Sequence, residues 1–240
     1  MSPAPVNRVC KTVALPPEEI ERRKTAPDAV TRAAATKPWD EGSTLRIHFM
    51  EGDPGLQQRV FDAACLWLKS SGGPANLAFV RTDDIDASDI RIKFVQGAGS
   101  WSYLGTDCAH PDFLGQETMN YGWLTPESTQ EEVEGVVLHE FGHALGLIHE
   151  HQNPNQKIDW NVEAVVRDLS GPPNNWPRDK IIANVTNTYD PAVIVKSTRV
   201  DPESIMMYRV PAAWTDGRFV AEENNRLSEL DRKLVSELYP

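Results

Sequence analysis

Three histidines recur at short intervals in the stretch HEFGHALGLIH, which spans residues 139–149. His139 and His143 are four residues apart, so on a helix both imidazoles leave the same face and can bind one metal ion. Gly146 allows a sharp backbone turn, which can bring His149 back as a third ligand. Three neutral nitrogens leave a fourth position for water, and that arrangement is typical of a catalytic zinc site.

Glu140 follows the first histidine, where its carboxylate can reach a water on the metal without binding the metal itself. Zinc lowers the pKa of its bound water towards neutrality and polarises a carbonyl group. Glu140 would take the proton of that water as a general base and pass it to a leaving amine as a general acid. The five fixed positions coincide by chance on the order of 10⁻⁵ times in a chain of this length, so we interpret them as a functional motif.

Hydrophobic periodicity predicts the helices that position this motif. The helix that carries the motif begins near Ser128, which forms a capping-box pattern with Glu131, and it ends at Gly146. Another helix follows Asp53-Pro54, and a third closes the chain. Alternating apolar residues predict five strands, at residues 44–50, 76–80, 89–95, 101–105 and 117–123. Strands and helices in this order predict an α+β domain with a mixed sheet.

Composition limits the class of protein. The chain has 240 residues and a net charge of -11, which excludes a general binder of nucleic acid or anionic membranes. The sequence contains no run of eighteen apolar residues, so it predicts no membrane span. Residues 1–40 are rich in proline and alanine and predict a surface arm that could act as a pro-segment. Residues 41–240 predict one catalytic domain, with an upper part at 41–146 and a lower part at 147–240.

A methionine-containing segment follows the zinc motif at residues 204–208, which read SIMMY. The extended motif followed by such a turn is typical of metzincins, so the chain resembles the astacin-like and matrixin-like zinc metalloproteases. The resemblance implies a zinc-dependent metalloendopeptidase with one catalytic Zn²⁺. It also implies a metzincin-like α+β fold with a twisted mixed five-stranded sheet, a long active-site helix and an irregular C-terminal subdomain ending in a helix.

The resemblance implies roles for residues outside the zinc motif. Met206 would form an apolar floor beneath the zinc. Tyr208 would donate a hydrogen bond to the developing oxyanion, although it could also be an ordinary core aromatic. An extended substrate would pair antiparallel with an edge strand. The residues expected to contact it are Trp101, Ser102, Tyr103 and Leu104, although this segment could also be an internal strand that contacts no substrate.

Two features differ from the usual astacin pattern. Met207 stands where astacins usually carry a histidine, and the three cysteines of the chain cannot form the paired disulfides of astacin domains. These differences favour a branch related to the astacins rather than the astacin family itself.

Several side chains have two interpretations. The Cys10 thiolate could bind the zinc and keep the enzyme latent, as a cysteine does in matrixin pro-segments, or Cys10 could be an ordinary free thiol. Glu150 could anchor a buried amine or arginine, or it could be a solvated acid, and His151 is expected to be exposed. The acidic run at residues 82–89 predicts a solvated turn, with Ca²⁺ as the weaker alternative.

The expected partner is a peptide or protein substrate, with no nucleic acid and no membrane, and the expected state is a monomer. The alternatives are a latent or highly specific processing protease, or a zinc-bound peptide-binding module without turnover. Glu140 argues against the binding module, because a pure binder does not need a base at that position. The N-terminus lacks the pattern of a signal peptide, and the sequence assigns no compartment, although related families are mostly secreted.

Overall fold

The computed structural model describes residues 11–13, 37–69, 75–154, 157–172, 174–189 and 199–240. The strands in these ranges are β1 (Lys11–Val13), β2 (Thr44–Phe49), β3 (Ala78–Arg81), β4 (Ile90–Lys93), β5 (Ser100–Tyr103) and β6 (Met119–Tyr121). The α-helices are α1 (Pro54–Ala64), α2 (Gln130–Ala144), α3 (Val162–Leu169), α4 (Arg178–Ile181) and α5 (Glu229–Leu238). None of the helices in these ranges is long and apolar enough to cross a membrane.

The strands form one mixed sheet in the order β1-β5-β6-β4-β2-β3. β5 runs antiparallel to β6, and the other neighbouring strands are parallel. Strands β2 to β6 lie at the five predicted positions, so the mixed five-stranded sheet is confirmed for the domain. The arm adds a sixth strand, β1. This strand has only three residues, which are too few to show an alternating pattern in the sequence.

The main core lies between the sheet and the two long helices. Leu45 and Ile47 of β2 are almost completely buried and belong to the same apolar cluster as Val137 of α2. The indole Nε1 of Trp67, just after α1, donates a hydrogen bond to the Leu138 carbonyl oxygen at 2.9 Å. These contacts hold the helix that carries the zinc motif against the sheet.

Helix α2 begins one residue later than predicted. Thr129, not Ser128, forms the capping box: its Oγ1 accepts from the Glu132 N–H at 3.2 Å, and the Glu132 carboxylate accepts from the Thr129 N–H at 2.8 Å. The Ser128 hydroxyl instead accepts from the Thr125 N–H at 3.1 Å and closes the preceding turn. The prediction that Ser128 and Glu131 cap the helix is therefore wrong by one position.

A second apolar cluster supports the region after the zinc motif. Its members come from α3, α4 and the segments around them, and include Val165, Trp176, Val185, Tyr208 and Trp214. Helix α5 is last in the chain but packs in the first cluster, through Leu234 and Val235. The closing helix therefore connects the end of the chain to the sheet and α2.

Candidate active site

The backbone turn after α2 determines where the third histidine lies. Gly146 has a φ of 91°, a left-handed conformation that favours glycine. Its N–H donates to the His143 carbonyl at 2.7 Å, and the Leu147 N–H donates to the Gly142 carbonyl at 2.8 Å. This pair of bonds is a Schellman motif, which ends the helix and reverses the chain direction. His149 is thereby returned to the face of α2 that carries the other two histidines.

The structure brings the three histidines of the motif together. One ligand atom from each of His139, His143 and His149 lies within 4.8 Å of the others. Among the described residues this is the one group of three or more His, Cys, Asp or Glu side chains with that spacing. The Nε2 atoms of His143 and His149 are 3.1 Å apart.

Each ring nitrogen Nδ1 faces an oxygen acceptor. That acceptor is the Ile205 carbonyl for His139 (2.7 Å), the Leu147 carbonyl for His143 (2.8 Å) and the Gln152 side-chain oxygen for His149 (3.3 Å). The hydrogen-bond network therefore assigns the proton to Nδ1 and leaves Nε2 as the nitrogen without a proton.

The electrostatics of these histidines fit a bound cation. Burial lowers the pKa of His139 to about 4 and of His143 to about 3, and it holds the pKa of His149 well below its ordinary value. All three rings are thus neutral near pH 7, as metal ligands must be. Zinc bonds of about 2.0–2.1 Å at tetrahedral angles separate two nitrogens by about 3.3 Å, close to the spacing of the Nε2 pair.

Met206 lies directly against the helix that carries two of the histidines. It is 2% exposed, and a Cβ atom built on Gly142 would collide with its sulfur. The carbonyl of Met206 accepts a hydrogen bond from the Glu150 N–H at 3.0 Å. The turn at 204–208 is therefore bonded to both sides of the histidine cluster, because Ile205 also holds His139.

Tyr208 packs among the histidines. Its ring centroid is 4.2 Å from that of His149 and 4.4 Å from that of His151. His151 is 1% exposed, and its Nε2 lies 3.1 Å from the Asn184 carbonyl oxygen. The expectation that His151 is exposed is wrong, because the segment containing Asn184 covers it.

Two glutamates near the histidines are buried. Glu140 is 1% exposed, and burial, together with the negative charge of Glu140, raises the pKa of Tyr121 well above the ordinary value. Burial raises the pKa of Glu150 to about 7, and its Oε1 accepts from the Asp201 N–H and the Asn153 side chain. Glu150 is therefore not a solvated acid.

The predicted substrate strand lies next to the arm. Trp101, Ser102 and Tyr103 belong to β5, whereas Leu104 lies just beyond it and is 6% exposed. The side of β5 that faces away from β6 is paired in parallel with β1, with Lys11 opposite Trp101. In this structure β5 is thus the second strand of the sheet, and the arm occupies the edge.

The acidic run considered for Ca²⁺ does not form a metal site within the described residues. In the acidic run at 82–89, Asp84 caps a turn through the Asp86 N–H (3.1 Å), and Asp89 pairs with Arg46 (3.0 Å). These contacts fit a turn and an ion pair better than a Ca²⁺ site. Cys10 lies outside the described residues.

A mixed sheet above a helix with three convergent histidines and an adjacent glutamate defines a metzincin-type metallopeptidase domain. Residues 36–239 match the model of the peptidase family Astacin. The chain therefore belongs to the astacin family, and its domain is that of a zinc-dependent metalloendopeptidase. The predicted fold class, enzyme class and zinc cofactor are confirmed.

The expectation of a branch outside the astacin family is wrong. Met207, which stands where astacins usually carry a histidine, is buried in the second apolar cluster. Cys65 and Cys108 are free thiols.

Solved structures and curated relatives agree with this assignment. Myroilysin superposes with a TM-score of 0.77 and 34% identity, covering 85% of this chain and 96% of that one. High choriolytic enzyme 1, a hatching enzyme zinc-protease of Oryzias latipes, shares the fold, with a TM-score of 0.54, 17% identity, and coverage of 89% and 96%. Zinc metalloproteinase dpy-31 of Haemonchus contortus is 28% identical over 207 residues, which are 84% of this chain and 34% of that protein. The chain spans between 16% and 34% of the length of the curated relatives it matches.

Sequence reasoning missed three residues that support the site. Gln152 contacts His149, His151 contacts Tyr208, and Asp231 accepts a hydrogen bond from the Ser204 hydroxyl at 2.6 Å. Ser228 and Asp231 form the capping box of α5, but the contact of Asp231 with a turn more than twenty residues earlier has no local sequence signal.

Proposed function

We propose that this chain cleaves internal peptide bonds as a zinc-dependent metalloendopeptidase, with His139, His143 and His149 as the metal ligands. The observation that carries the proposal is the convergence of three neutral imidazoles beside Glu140. Zinc, when bound, supplies a Lewis acid that acidifies a water molecule and polarises the scissile carbonyl.

The carboxylate of Glu140 is the proposed general base and then general acid. It follows His139 on α2 and is buried, so solvent does not compete for its proton transfer. Glu140 accepts a proton from the attacking water and returns it to the leaving amine.

Tyr208 and Met206 are proposed to complete the site. Tyr208 is held by ring contacts with His149 and His151, and its hydroxyl would donate a hydrogen bond to the oxyanion of the tetrahedral intermediate. Met206 would form the apolar floor, since its sulfur lies against the helix backbone at Gly142.

We propose that the substrate is an extended peptide or protein segment that adds antiparallel to β5 along Trp101, Ser102, Tyr103 and Leu104. Backbone pairing of this kind binds many sequences, which fits an endopeptidase. The chain is proposed to act as a monomer on peptides or proteins, without nucleic acid or membrane partners. Residues 41–240 are proposed to form the catalytic domain, and residues 1–40 are proposed to form the arm.

The pairing of β1 with β5 supports a second proposal, a latent form. Because β1 is paired with β5 along the side that faces away from β6, it would block the edge that an antiparallel substrate needs. Cys10 directly precedes β1, so the arm that covers the edge also carries the proposed latency thiol. In this form the arm would have to leave before a substrate could bind.

Glu140→Gln tests the main proposal against a peptide-binding module without turnover. The variant should keep one zinc per chain and lose cleavage by about 10²- to 10⁴-fold, because the amide cannot take the proton. Glu131→Gln, at an exposed site in the first turn of α2, is the matched control and should cleave normally. Cleavage that survives in Glu140→Gln would contradict the mechanism.

Removal of residues 1–36 and the variant Cys10→Ala test the latent form. If the arm blocks β5 and the thiol binds the metal, both changes should raise the initial cleavage rate. Unchanged rates in both proteins would contradict latency and leave the peptidase proposal intact.

A further inference from the structure

Gln152 connects the third histidine to a separate segment of the chain. It is 5% exposed and lies in the short 3₁₀ helix Glu150–Gln152, directly after His149. Its Nε2 donates to the Ala183 carbonyl and to the Asn187 carbonyl, both at 3.2 Å. Its Oε1 lies 3.3 Å from Nδ1 of His149.

These contacts determine which way the Gln152 amide points. Carbonyl oxygens can only accept hydrogen bonds, so the NH₂ group must face Ala183 and Asn187. The amide oxygen must then face His149, and Nδ1 of His149 must be the donor. Gln152 therefore selects the tautomer in which Nε2 of His149 carries no proton.

His149 is supported differently from the other two histidines. Backbone carbonyls hold His139 at 2.7 Å and His143 at 2.8 Å, and no substitution of the accepting residue removes a backbone oxygen. The partner of His149 is a side chain, at the longer distance of 3.3 Å. A single substitution can therefore remove the support of this one ligand.

The other end of the Gln152 amide holds an irregular segment. Residues Ile182–Thr186 form a π-helix. This conformation is rare in proteins, and where it occurs it is often at a functional site. The segment is also bonded to this region by the Tyr189 N–H, which donates to the Gln152 carbonyl at 3.0 Å, and by His151, which contacts the Asn184 carbonyl. Gln152 thus lies between the metal site and the segment 182–189.

We propose that Gln152 is a positioning residue: its amide orients His149 for the metal and binds the π-helical segment at the same time. The inference rests on the proposed three-histidine zinc site. Partners of this kind, which bond the distal nitrogen of a ligating histidine, typically change metal affinity by tenfold to a hundredfold when they are removed.

Two substitutions separate the two functions of the amide. Gln152→Met fills similar space but removes both the acceptor for His149 and the donors to residues 183 and 187. Gln152→Glu keeps an oxygen for the His149 N–H but places a carboxylate against the two carbonyls. The matched control is Gln58→Met, at an exposed glutamine on α1 whose side chain bonds Asp62 on the same helix and Arg81 on β3.

The test measures the zinc dissociation constant of each full-length protein by competition with a chromophoric chelator, together with amide hydrogen exchange at residues 182–189. Gln152→Met should bind zinc tenfold to a hundredfold more weakly, and Gln152→Glu should bind within about threefold of the wild type or more tightly. Both variants should exchange faster at 182–189, and Gln58→Met should match the wild type in both measurements.

Two results would overturn the inference and leave the zinc site in place: unchanged zinc affinity in Gln152→Met, or an equal loss of affinity in both variants. An equal loss would mean that the loosened segment, and not the orientation of His149, weakens the site. A wild-type chain that binds no zinc would overturn the inference together with the proposed function. The absorption spectrum of the Co²⁺-substituted proteins is a further readout, and it should change in Gln152→Met alone.

Discussion

The carboxylate of Asp231 ties the closing helix to the turn that holds His139. Its Oδ1 accepts from the Ser204 hydroxyl at 2.6 Å, and its Oδ2 accepts from the N–H groups of Ile205 (2.8 Å) and Ser228 (2.9 Å). The carbonyl of Ile205 in turn holds Nδ1 of His139. A change at Asp231 should therefore affect both the stability of the domain and the metal site.

The structure allows an approximate magnitude for Asp231→Ala. Asp231 is 4% exposed, so water cannot readily replace the lost carboxylate. Each buried donor that loses its partner costs about 1–3 kcal/mol, and the Ser204 hydroxyl can rotate to a new acceptor while the two backbone N–H groups cannot. We expect the free energy of unfolding to fall by about 3–5 kcal/mol.

Asp231→Asn is the matched control. Its amide oxygen can still accept from both backbone N–H groups, and its NH₂ group can donate to the Ser204 oxygen. Burial already raises the pKa of Asp231, so a neutral group is tolerated better here than in water. We expect a loss of about 1–2 kcal/mol, close to that of one hydrogen bond.

Urea denaturation of the metal-free proteins, followed by tryptophan fluorescence, measures these losses, and chelator competition measures zinc affinity. Asp231→Ala should weaken zinc binding more than Asp231→Asn, because Ile205 loses its anchor. Equal losses of stability in the two variants, or a loss below about 1 kcal/mol in Asp231→Ala, would refute the expectation that three donors depend on this carboxylate.

Three further predictions follow from individual contacts. The pKa of Glu150, about 7 against its ordinary value of 4.5, means that the contribution of Glu150 to stability is greatest below pH 4.5 and is lost as the pH rises through 7. Each pKa unit corresponds to about 1.4 kcal/mol, so Glu150→Gln should raise the unfolding free energy of the metal-free chain by roughly 3 kcal/mol at about pH 8 and by little at about pH 4.5. Urea denaturation at the two pH values measures this difference, and an equal gain at both would contradict the prediction. Tyr208→Phe should lower kcat by about 10- to 100-fold with zinc content unchanged, and steady-state kinetics with an unchanged kcat would remove the oxyanion role. Trp67→Phe loses the bond to the Leu138 carbonyl and leaves a small cavity, so urea denaturation should report a loss of about 2–3 kcal/mol, and less than about 1 kcal/mol would count against it.

The zinc motif and the sheet could be predicted because their signals are local. Alternation of apolar residues located β2 to β6, and the interval between His139 and His143 already places both rings on one helix face. The residue type of Gly146 predicts a turn, and its left-handed φ agrees with that interpretation. In each case a short stretch of sequence contains the physical cause.

The features that could not be predicted depend on distant segments. His151 looks like a polar surface residue in sequence, but it is covered by the segment around Asn184. Gln152 carries no motif, and its position behind His149 depends on the docking of residues 182–189. The start of α2 was missed by one residue because Ser128 and Thr129 are both good caps, and the turn at Thr125 decides between them.

The most direct test of the central claim is to incubate the purified chain, with and without residues 1–36, with a mixture of denatured peptides and to sequence the products by mass spectrometry. Parallel samples contain a zinc chelator, and Glu140→Gln serves as the inactive control. We expect internal cuts that disappear with the chelator and in the control. A trimmed chain that binds one zinc and makes no cuts would contradict the proposed activity.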